Sequence, residues 1–511
     1  MKRFIMVWGL LAFAGTMVFG LGLETSALAA RVETLYRSAG RAMPTVSIPV
    51  STNELHHALK LLLAADLTDE LREEAGELDR VLTELVGTGE ISAQISASPE
   101  YYHNVDRSEF TRQVIRENPF AELGLGYGYY GGPYLFAQAA LQREWSYSTS
   151  ATNIPSPQPG NPVPFENNLL RTGYVYFPAG LADITFGRQQ IAIGPDSSNS
   201  LMVSSRVPFL DALKVTMSLG NLKMTALTST LDNGRAVPDT AGTAIPLSYD
   251  FNINTILYNI HYFEYAWPRV RLGIGSQVLL ARQMNNFQLG DFFPVFTWHN
   301  ADIVPNNMCL LMDVTYVPAP NVELFAQLGF DDISGESVGV ADSGVPTIDA
   351  YIAGVAVEFS GLNLSASATG GYTHYLWGNF DLTDFLARAI YRIESDGSHK
   401  SMPLTSTYGP GALWMDTQVT WGWQDFNGSL SYIALGKTPG ANPYSTAYES
   451  SAALEDAARE WTHTISLGLS YDILEWANVT VIPGVTITGG APEFQLEASG
   501  RVWKRFSRAI D

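Results

Sequence analysis

From about Ile91 to Phe506 the chain is a succession of short segments in which apolar and polar residues alternate. Leu213, Val215, Met217 and Leu219 interleave with Lys214, Thr216 and Ser218, and after Gly220-Asn221 the pattern resumes as Leu222, Met224 and Ala226 against Lys223 and Thr225. Successive side chains of a strand point to opposite faces, so each segment has one apolar and one polar face. A soluble sandwich turns the polar face to water. A membrane barrel turns the apolar face to lipid and lines its interior with the polar one. The leader and the number of segments decide between the two, and both favour the barrel.

Lys2 and Arg3 precede an apolar run from Phe4 to Leu23, and Ala27-Leu28-Ala29 places small residues where a signal peptidase reads them. Residues 1–29 are therefore expected to be a cleaved signal peptide. No cysteine lies near the cleavage point, which argues against a lipoprotein. Losing Lys2, Arg3 and Glu24 from 30 basic and 51 acidic residues leaves 28 and 50, a net charge of about −22. Such a balance argues against nucleic acid as a partner, which wants a basic face. The single cysteine, Cys309, excludes an internal disulfide and a cysteine-rich metal site. Alternation puts it on one face with Asp313 and Thr315, where inert packing is expected. Neither a metal nor a cofactor is expected.

Residues 30–89 read as a small periplasmic helical domain. Ser51-Thr52-Asn53-Glu54 has the capping-box pattern, followed by Leu55, Leu59 and Leu62 at helical spacing. A second stripe carries Leu71, Ala75, Leu78, Leu82 and Leu85. Residues 90–511 form the barrel. Strands are predicted near 90–98, 121–130, 134–147, 169–178, 182–190, 212–219, 222–231, 255–266 and 270–281. They continue near 308–317, 322–330, 350–360, 362–375, 412–424, 426–435, 460–471, 479–488 and 494–506. These make an all-β transmembrane barrel of about eighteen antiparallel strands, with sixteen as the alternative. Every second connection is short and the others, apart from 489–493, are long, the asymmetry of periplasmic turns and outer loops. So wide a barrel needs filling, either from residues 31–88 or from inward-folded loops such as 376–411, with a helix predicted over Leu382–Ile393. An outer-membrane location in a diderm bacterium follows, with lipid, lipopolysaccharide and the barrel-assembly machinery as partners, and a monomer is expected.

Catalytic chemistry finds little purchase. His261 is assigned to the interior face with Asn259, and His463 to the lipid face near the outer rim. A lipid hydrolase needs serine and histidine together on that outer surface, yet Ser466 points away from His463. No enzyme is expected. Loop 331–349 carries Asp331, Asp332, Glu336, Asp342 and Asp349, but the spacing matches no defined calcium loop, so a solvated acidic loop is the better reading.

The stretch Phe186-Gly187-Arg188-Gln189-Gln190-Ile191-Ala192-Ile193-Gly194-Pro195, followed by Ser200 to Arg206-Val207-Pro208-Phe209, is more specific. It resembles the signature of the Wzi family of outer-membrane capsule-assembly proteins, in which a Gly-Arg run leads to Gly-Pro and a Ser-Leu segment closes in Arg-x-Pro-Phe. A second likeness is Asn307-Met308 leading to Asp313, then Glu323-Leu324 and Gly329-Phe330-Asp331-Asp332. The resemblance implies a lectin-like barrel that binds capsular or other envelope polysaccharide, its periplasmic mouth closed by the helical domain. A porin or substrate-specific channel is the alternative. The signature is expected at the top of a strand and in an outer loop. Arg188 and Arg206 are the leading candidates for glycan contact, since guanidinium suits the carboxylates of acidic sugars. Trp298, His299 and Trp377 are candidate outer-loop contacts, because sugars offer apolar faces to aromatic rings. A competing role for the arginines is bracing against an interior carboxylate such as Asp183.

Overall fold

The computed structural model describes residues 23–105, 119–141, 171–207, 209–231, 255–282, 288–292, 306–334, 346–378, 398–441 and 451–510, with 381–382, 385–386 and 390–395. Eighteen antiparallel strands close into a barrel, the first continued after a break by the short segment Glu100–His103, which pairs with the last strand. They are β1 Gly89–Ala97, β2 Ala121–Tyr129, β3 Tyr134–Leu141, β4 Thr172–Ala179, β5 Ala182–Gln189, β6 Leu210–Leu219, β7 Leu222–Leu231, β8 Thr255–Ala266 and β9 Val270–Arg282. The circuit continues through β10 Asn306–Ala319, β11 Val322–Asp332, β12 Ile348–Phe359, β13 Leu364–Thr373, β14 Ala412–Trp423, β15 Phe426–Lys437, β16 Glu460–Leu474, β17 Ala477–Thr488 and β18 Ala491–Ile510. Each pairs with its chain neighbour, and β18 closes on β1.

All eighteen expected segments are strands, with ends displaced by a few residues. Residues 142–147, expected to continue β3, lie outside the described residues, and at the C-terminus the last strand runs four residues further than expected. There Ser507, Arg508 and Ala509 pair with Ser92, Ile91 and Glu90, so the chain past Phe506 belongs to the wall. Two-residue turns at Gly180 and Gly220 hold glycine at φ near +60°, which L side chains resist. Leu123, Leu125, Phe186, Leu272, Ile274, Ile465 and Phe494 are exposed on the outer wall, as a lipid-facing band requires. Among the described residues no helix is long and apolar enough to cross a membrane.

Helices α1 Leu23–Ser38, α2 Thr52–Leu63 and α3 Asp69–Leu85 pack around Val32, Leu35, Leu55, Leu59, Leu62, Leu78 and Leu82. The capping box at α2 is complete: Glu54 N donates to Ser51 Oγ at 3.0 Å and Ser51 N to Glu54 Oε2 at 2.7 Å. This bundle sits at the short-turn end. Arg37 pairs with Glu358, Ser38 Oγ donates to Asn321 Oδ1 at 2.9 Å, and His57 Nε2 lies 2.7 Å from Gly220 O.

Two local expectations are corrected. The helix predicted over Leu382–Ile393 is replaced by small hairpins, Asp381–Leu382 with Phe385–Leu386 and Ile390–Ser395 with Ser398–Pro403. Ile390, Tyr391 and Ile393 favour strands, and the Asp396-Gly397 pair between Ser395 and Ser398 is the dipeptide of two-residue hairpins. Asn259 and His261 lie on the outer face of β8, since His261 pairs with Ala226 and Ser276 in register with the outward Phe263 and Ile274. They are nonetheless 1 % and 3 % exposed. The inward face of β8 carries Tyr258, Ile260 and Tyr262. With both faces covered, apolar residues appear on both and alternation loses its meaning.

The lumen is lopsided. Most inward residues of β6 to β12, among them Lys214, Thr225, Tyr258, Glu264, Arg271, Gln277, Leu311 and Gln327, are buried. Ser365 and Gln418, toward the short-turn ends of β13 and β14, and Thr464, Thr486 and Ser499 of β16, β17 and β18 are half-buried, whereas Thr373 and Trp414 at the outer ends of β13 and β14 are buried with the filled side. One side of the lumen is filled with protein, and solvent reaches the other.

Candidate functional site: an outer loop folded into the lumen

What fills the lumen is the signature loop itself. Residues after β5 turn inward, so that Ile191, Ile193, Leu201, Met202, Val203 and Val207 join one buried cluster with Tyr258, Ile260, Leu279, Leu311, Trp377, Leu404 and Tyr408. The loop is built around a hairpin-like contact, Ile193 N donating to Val203 O at 3.1 Å, with Ser200 Oγ donating to Ile193 O. Gly194 sits at φ +139°, and any Cβ there would collide with Ser200. The Gly-Pro of the signature thus serves a tight fold: the segment is the outer-side connection after β5, as expected, and it turns inward.

The wall supplies matching sockets. Leu201 N donates to Gln327 Oε1 at 2.8 Å, Gln277 Nε2 to Leu201 O at 3.2 Å, and Tyr258 OH to Met202 O at 2.9 Å. These satisfy loop backbone that would otherwise be buried without partners. The second motif lies in the same wall. Asp313 accepts from Arg271 at 2.6 Å and from Tyr262 OH at 2.6 Å. Gly329 makes room for Trp377, whose ring would stand 2.6 Å from an added Cβ. Asp331 accepts from Cys309 Sγ at 2.9 Å and Gly378 N at 3.0 Å. It is buried, so it does not belong to a solvated acidic loop. Glu336 and Asp342 lie outside the described residues.

From the opposite end, the segment between α1 and α2 rises into the lumen and meets this loop. Ser47 pairs with Ile193 and Ile48 with Ala192, so a strand from the helical end and a strand from the long-loop end form one two-stranded sheet inside the barrel. Glu264, fully buried, anchors the rising segment. It accepts from Val46 N at 2.8 Å, Thr45 Oγ1 at 3.2 Å and Ser47 Oγ at 3.1 Å. Lys214 Nζ donates to Pro49 O at 2.7 Å, and Lys223 Nζ lies 2.6 Å from Glu54 Oε1. Burial opposes ionisation of Glu54, but Lys223 and Lys214 together hold its carboxyl below the usual carboxylate range. No sequence signal marks Glu264, Lys214 or Lys223 as a set. They lie on three strands and converge only when the barrel closes.

Of the candidate contact residues, the described ones, Arg188, Arg206 and Trp377, do not all face one site. Arg188 points outward with Phe186, not into the barrel mouth. It grips Asp211 of the neighbouring strand through two 2.8 Å hydrogen bonds, and its guanidinium covers the Phe209 ring at 4.0 Å. Its carboxylate partner is thus Asp211 rather than Asp183, which binds Asn53 Nδ2 at 3.0 Å and Tyr176 OH at 2.6 Å. Arg206 is half-buried at the end of the inward loop, its backbone N donating to Ser204 Oγ at 3.2 Å. Trp377 is buried, its indole donating to Thr405 Oγ1 at 3.0 Å. Trp298 and His299 lie outside the described residues. His463 stands on the outer wall against Tyr432, 2.9 Å from its hydroxyl, while Ser466 bonds Ser431 inside the lumen at 2.8 Å. The wall separates them, so they cannot form a nucleophile and base.

No family model and no curated protein sequence matches the chain. Among solved structures it resembles Wzi of Escherichia coli, described as a carbohydrate-binding β-barrel involved in group 1 capsule assembly. The TM-score is 0.57 at 13 % identity, over 93 % of this chain and 97 % of that one. Pseudomonas aeruginosa OpdK with vanillate gives a TM-score of 0.42 at 12 % identity, over 82 % and 99 % of the two chains. OccD1 (OprD) gives 0.42 at 11 % identity, over 82 % and 95 %. The fold is that of the eighteen-stranded outer-membrane β-barrels of Gram-negative bacteria.

Proposed function

We propose that the protein is a non-enzymatic outer-membrane barrel that binds surface polysaccharide, capsular polysaccharide first, and helps attach or assemble it at the cell surface. The observation that carries this reading is the two-stranded joint of Ser47-Ile48 with Ala192-Ile193, which spends much of the lumen on protein rather than on a solute path. The overall likeness to Wzi, itself described as carbohydrate-binding, supports it. Glycan contact is assigned to the outer end, with Arg188, Arg206, Trp298, His299 and Trp377 as the contact set. Within it, Arg188 meets a ligand only from the outer wall, and Trp377 only when the plug opens. The surrounding lipid and lipopolysaccharide and the barrel-assembly machinery complete the set of partners.

A second reading, a substrate-specific channel, is favoured by one observation: the half-buried polar residues along β16 to β18 border the part of the lumen that solvent reaches. The test compares cell-associated polysaccharide in a deletion strain with that in strains carrying the wild type or an Arg188→Gln, Arg206→Gln double variant. Deletion is expected to release polysaccharide into the medium. The variant is expected to release part of it while keeping the heat-modifiable band of a folded barrel. Unchanged polysaccharide on deletion sinks the proposal.

A further inference from the structure

The accessible half of the lumen has a chemistry of its own. On the inward faces of β15, β16 and β17, hydroxyls meet across strands in rows. Thr462 and Thr488 stand 3.2 Å apart, Thr464 and Thr486 3.1 Å, Ser431 and Ser466 2.8 Å, and Ser470 and Thr480 3.0 Å. The register extends two of these rows into β18, where Thr486 faces Glu493 and Gly484, beside Ser466, faces Gln495. Exposure falls with depth. Thr488, Glu493 and Glu460 are exposed near the outer rim, Thr464, Thr486 and Ser466 are half-buried, and Ser470 is buried.

We propose that these rows are a binding bed for an uncharged stretch of polysaccharide, entering from the outer rim and lying along Thr462, Thr464, Thr486, Thr488 and Glu493. The inference rests on the glycan-binding function proposed above and names the ligand chemistry and the face that takes it. Each hydroxyl of a bonded pair has one donor and two acceptor sites, so a pair joined by a single bond keeps capacity for a third partner. Glu493 adds a carboxylate that only accepts. A surface rich in acceptors and fixed by strands suits a ligand rich in hydroxyl donors. Glu493, and Glu460 opposite Lys437 on the same face, disfavour a uronate or other anionic sugar, to the extent that solvent at the exposed rim leaves their charge unscreened. Arg188, which would favour acidic sugars, faces the other side of the wall and is already held by Asp211.

The test uses the full chain in detergent micelles and polysaccharide extracted from the host's own surface, trimmed and separated by anion exchange into neutral and acidic fractions. Binding of each fraction is measured by calorimetry for the wild type, for the Thr464→Val, Thr486→Val double variant and for Glu493→Gln, with the heat-modifiable band as the folding control. Wild type is expected to bind the neutral fraction, and the double valine variant to bind it roughly tenfold more weakly, the loss of one or two hydrogen bonds. Glu493→Gln, which removes charge but not shape, is expected to raise affinity for the acidic fraction severalfold. Wild type binding neither fraction overturns the glycan-binding function and this site together. Wild type binding undiminished in a folded double valine variant overturns the site alone, as does preference of the wild type for the acidic fraction.

Discussion

The two sides of the lumen solve the interior of a wide barrel in opposite ways. Along β6 to β12 the wall buries charge, and it does so in closed networks. Arg271, fully buried, reaches Asp313 at 2.6 Å, Thr315 Oγ1 at 2.7 Å and Tyr262 OH at 2.9 Å, while Glu264 holds three groups of the rising segment. Along β16 to β18 the wall carries hydroxyl pairs that solvent reaches, with carboxylates near the rim. A buried ion stays charged only if its partners replace the water it has lost, so the filled side is rigid and intolerant of single changes. The open side loses little when one hydroxyl goes. The contrast teaches that strand phase alone makes a barrel, whereas the inward faces decide whether the barrel is a pore, a plug or a bed.

The largest break in that contrast is expected on the filled side. Arg271→Ala leaves Asp313 buried without its cation and Glu264 with Lys223 alone, 3.9 Å away, and should cost roughly 3–5 kcal/mol, read as a lower denaturant midpoint for loss of the heat-modifiable form. An unchanged midpoint would mean that water enters this side and that the two halves do not differ. Next comes acidity. Because Glu54 is held below its ordinary value of about 4.3, its contribution is fully present above that pH and is lost as pH falls through the lowered folded value. Protease release of the helical bundle should therefore stay low at neutral pH in the wild type and rise only as pH falls below that ordinary value. In Glu54→Gln release should be high already at neutral pH and depend less on acid. Equal pH curves would remove Glu54 from the joint. The smallest effect belongs to the open side. Thr462→Val should shift the same denaturant midpoint by no more than roughly 0.2–1 kcal/mol, the worth of a cross-strand pair, and a shift as large as that of Arg271→Ala would erase the distinction.

What the residues show in advance follows the same division. The strand count and phase were legible because β2, β11 and β13 have lipid on one side and polar lumen on the other. The turns at Gly220-Asn221 and the capping box at Ser51 were legible because their chemistry is local. Asn259 and His261 face outward against expectation because β8 is covered on both faces, so period two no longer reports inside and outside. The inward fold of residues 190–207 was hidden for a different reason. It depends on Gln327, Gln277 and Tyr258, which lie far along the chain and become sockets only after closure. The likeness carried by Gly194-Pro195, Asp313 and Gly329 pointed to this region as special, and their contacts explain it through the plug. Arg188 illustrates the remaining gap: its position was legible, but its outward direction and its bond to Asp211 were not.

The central claim is that the joint of Ser47-Ile48 with Ala192-Ile193 seals the filled side well enough that the barrel is no general pore. Single-channel recording of the purified full-length protein in planar bilayers tests it most directly, beside a variant in which Glu264→Ala and Lys214→Ala free the rising segment. The wild type is expected to show no steady conductance of porin size, and the variant to show openings. Steady porin-sized conductance from the wild type, unaltered in the variant, would contradict the account and make the barrel a channel.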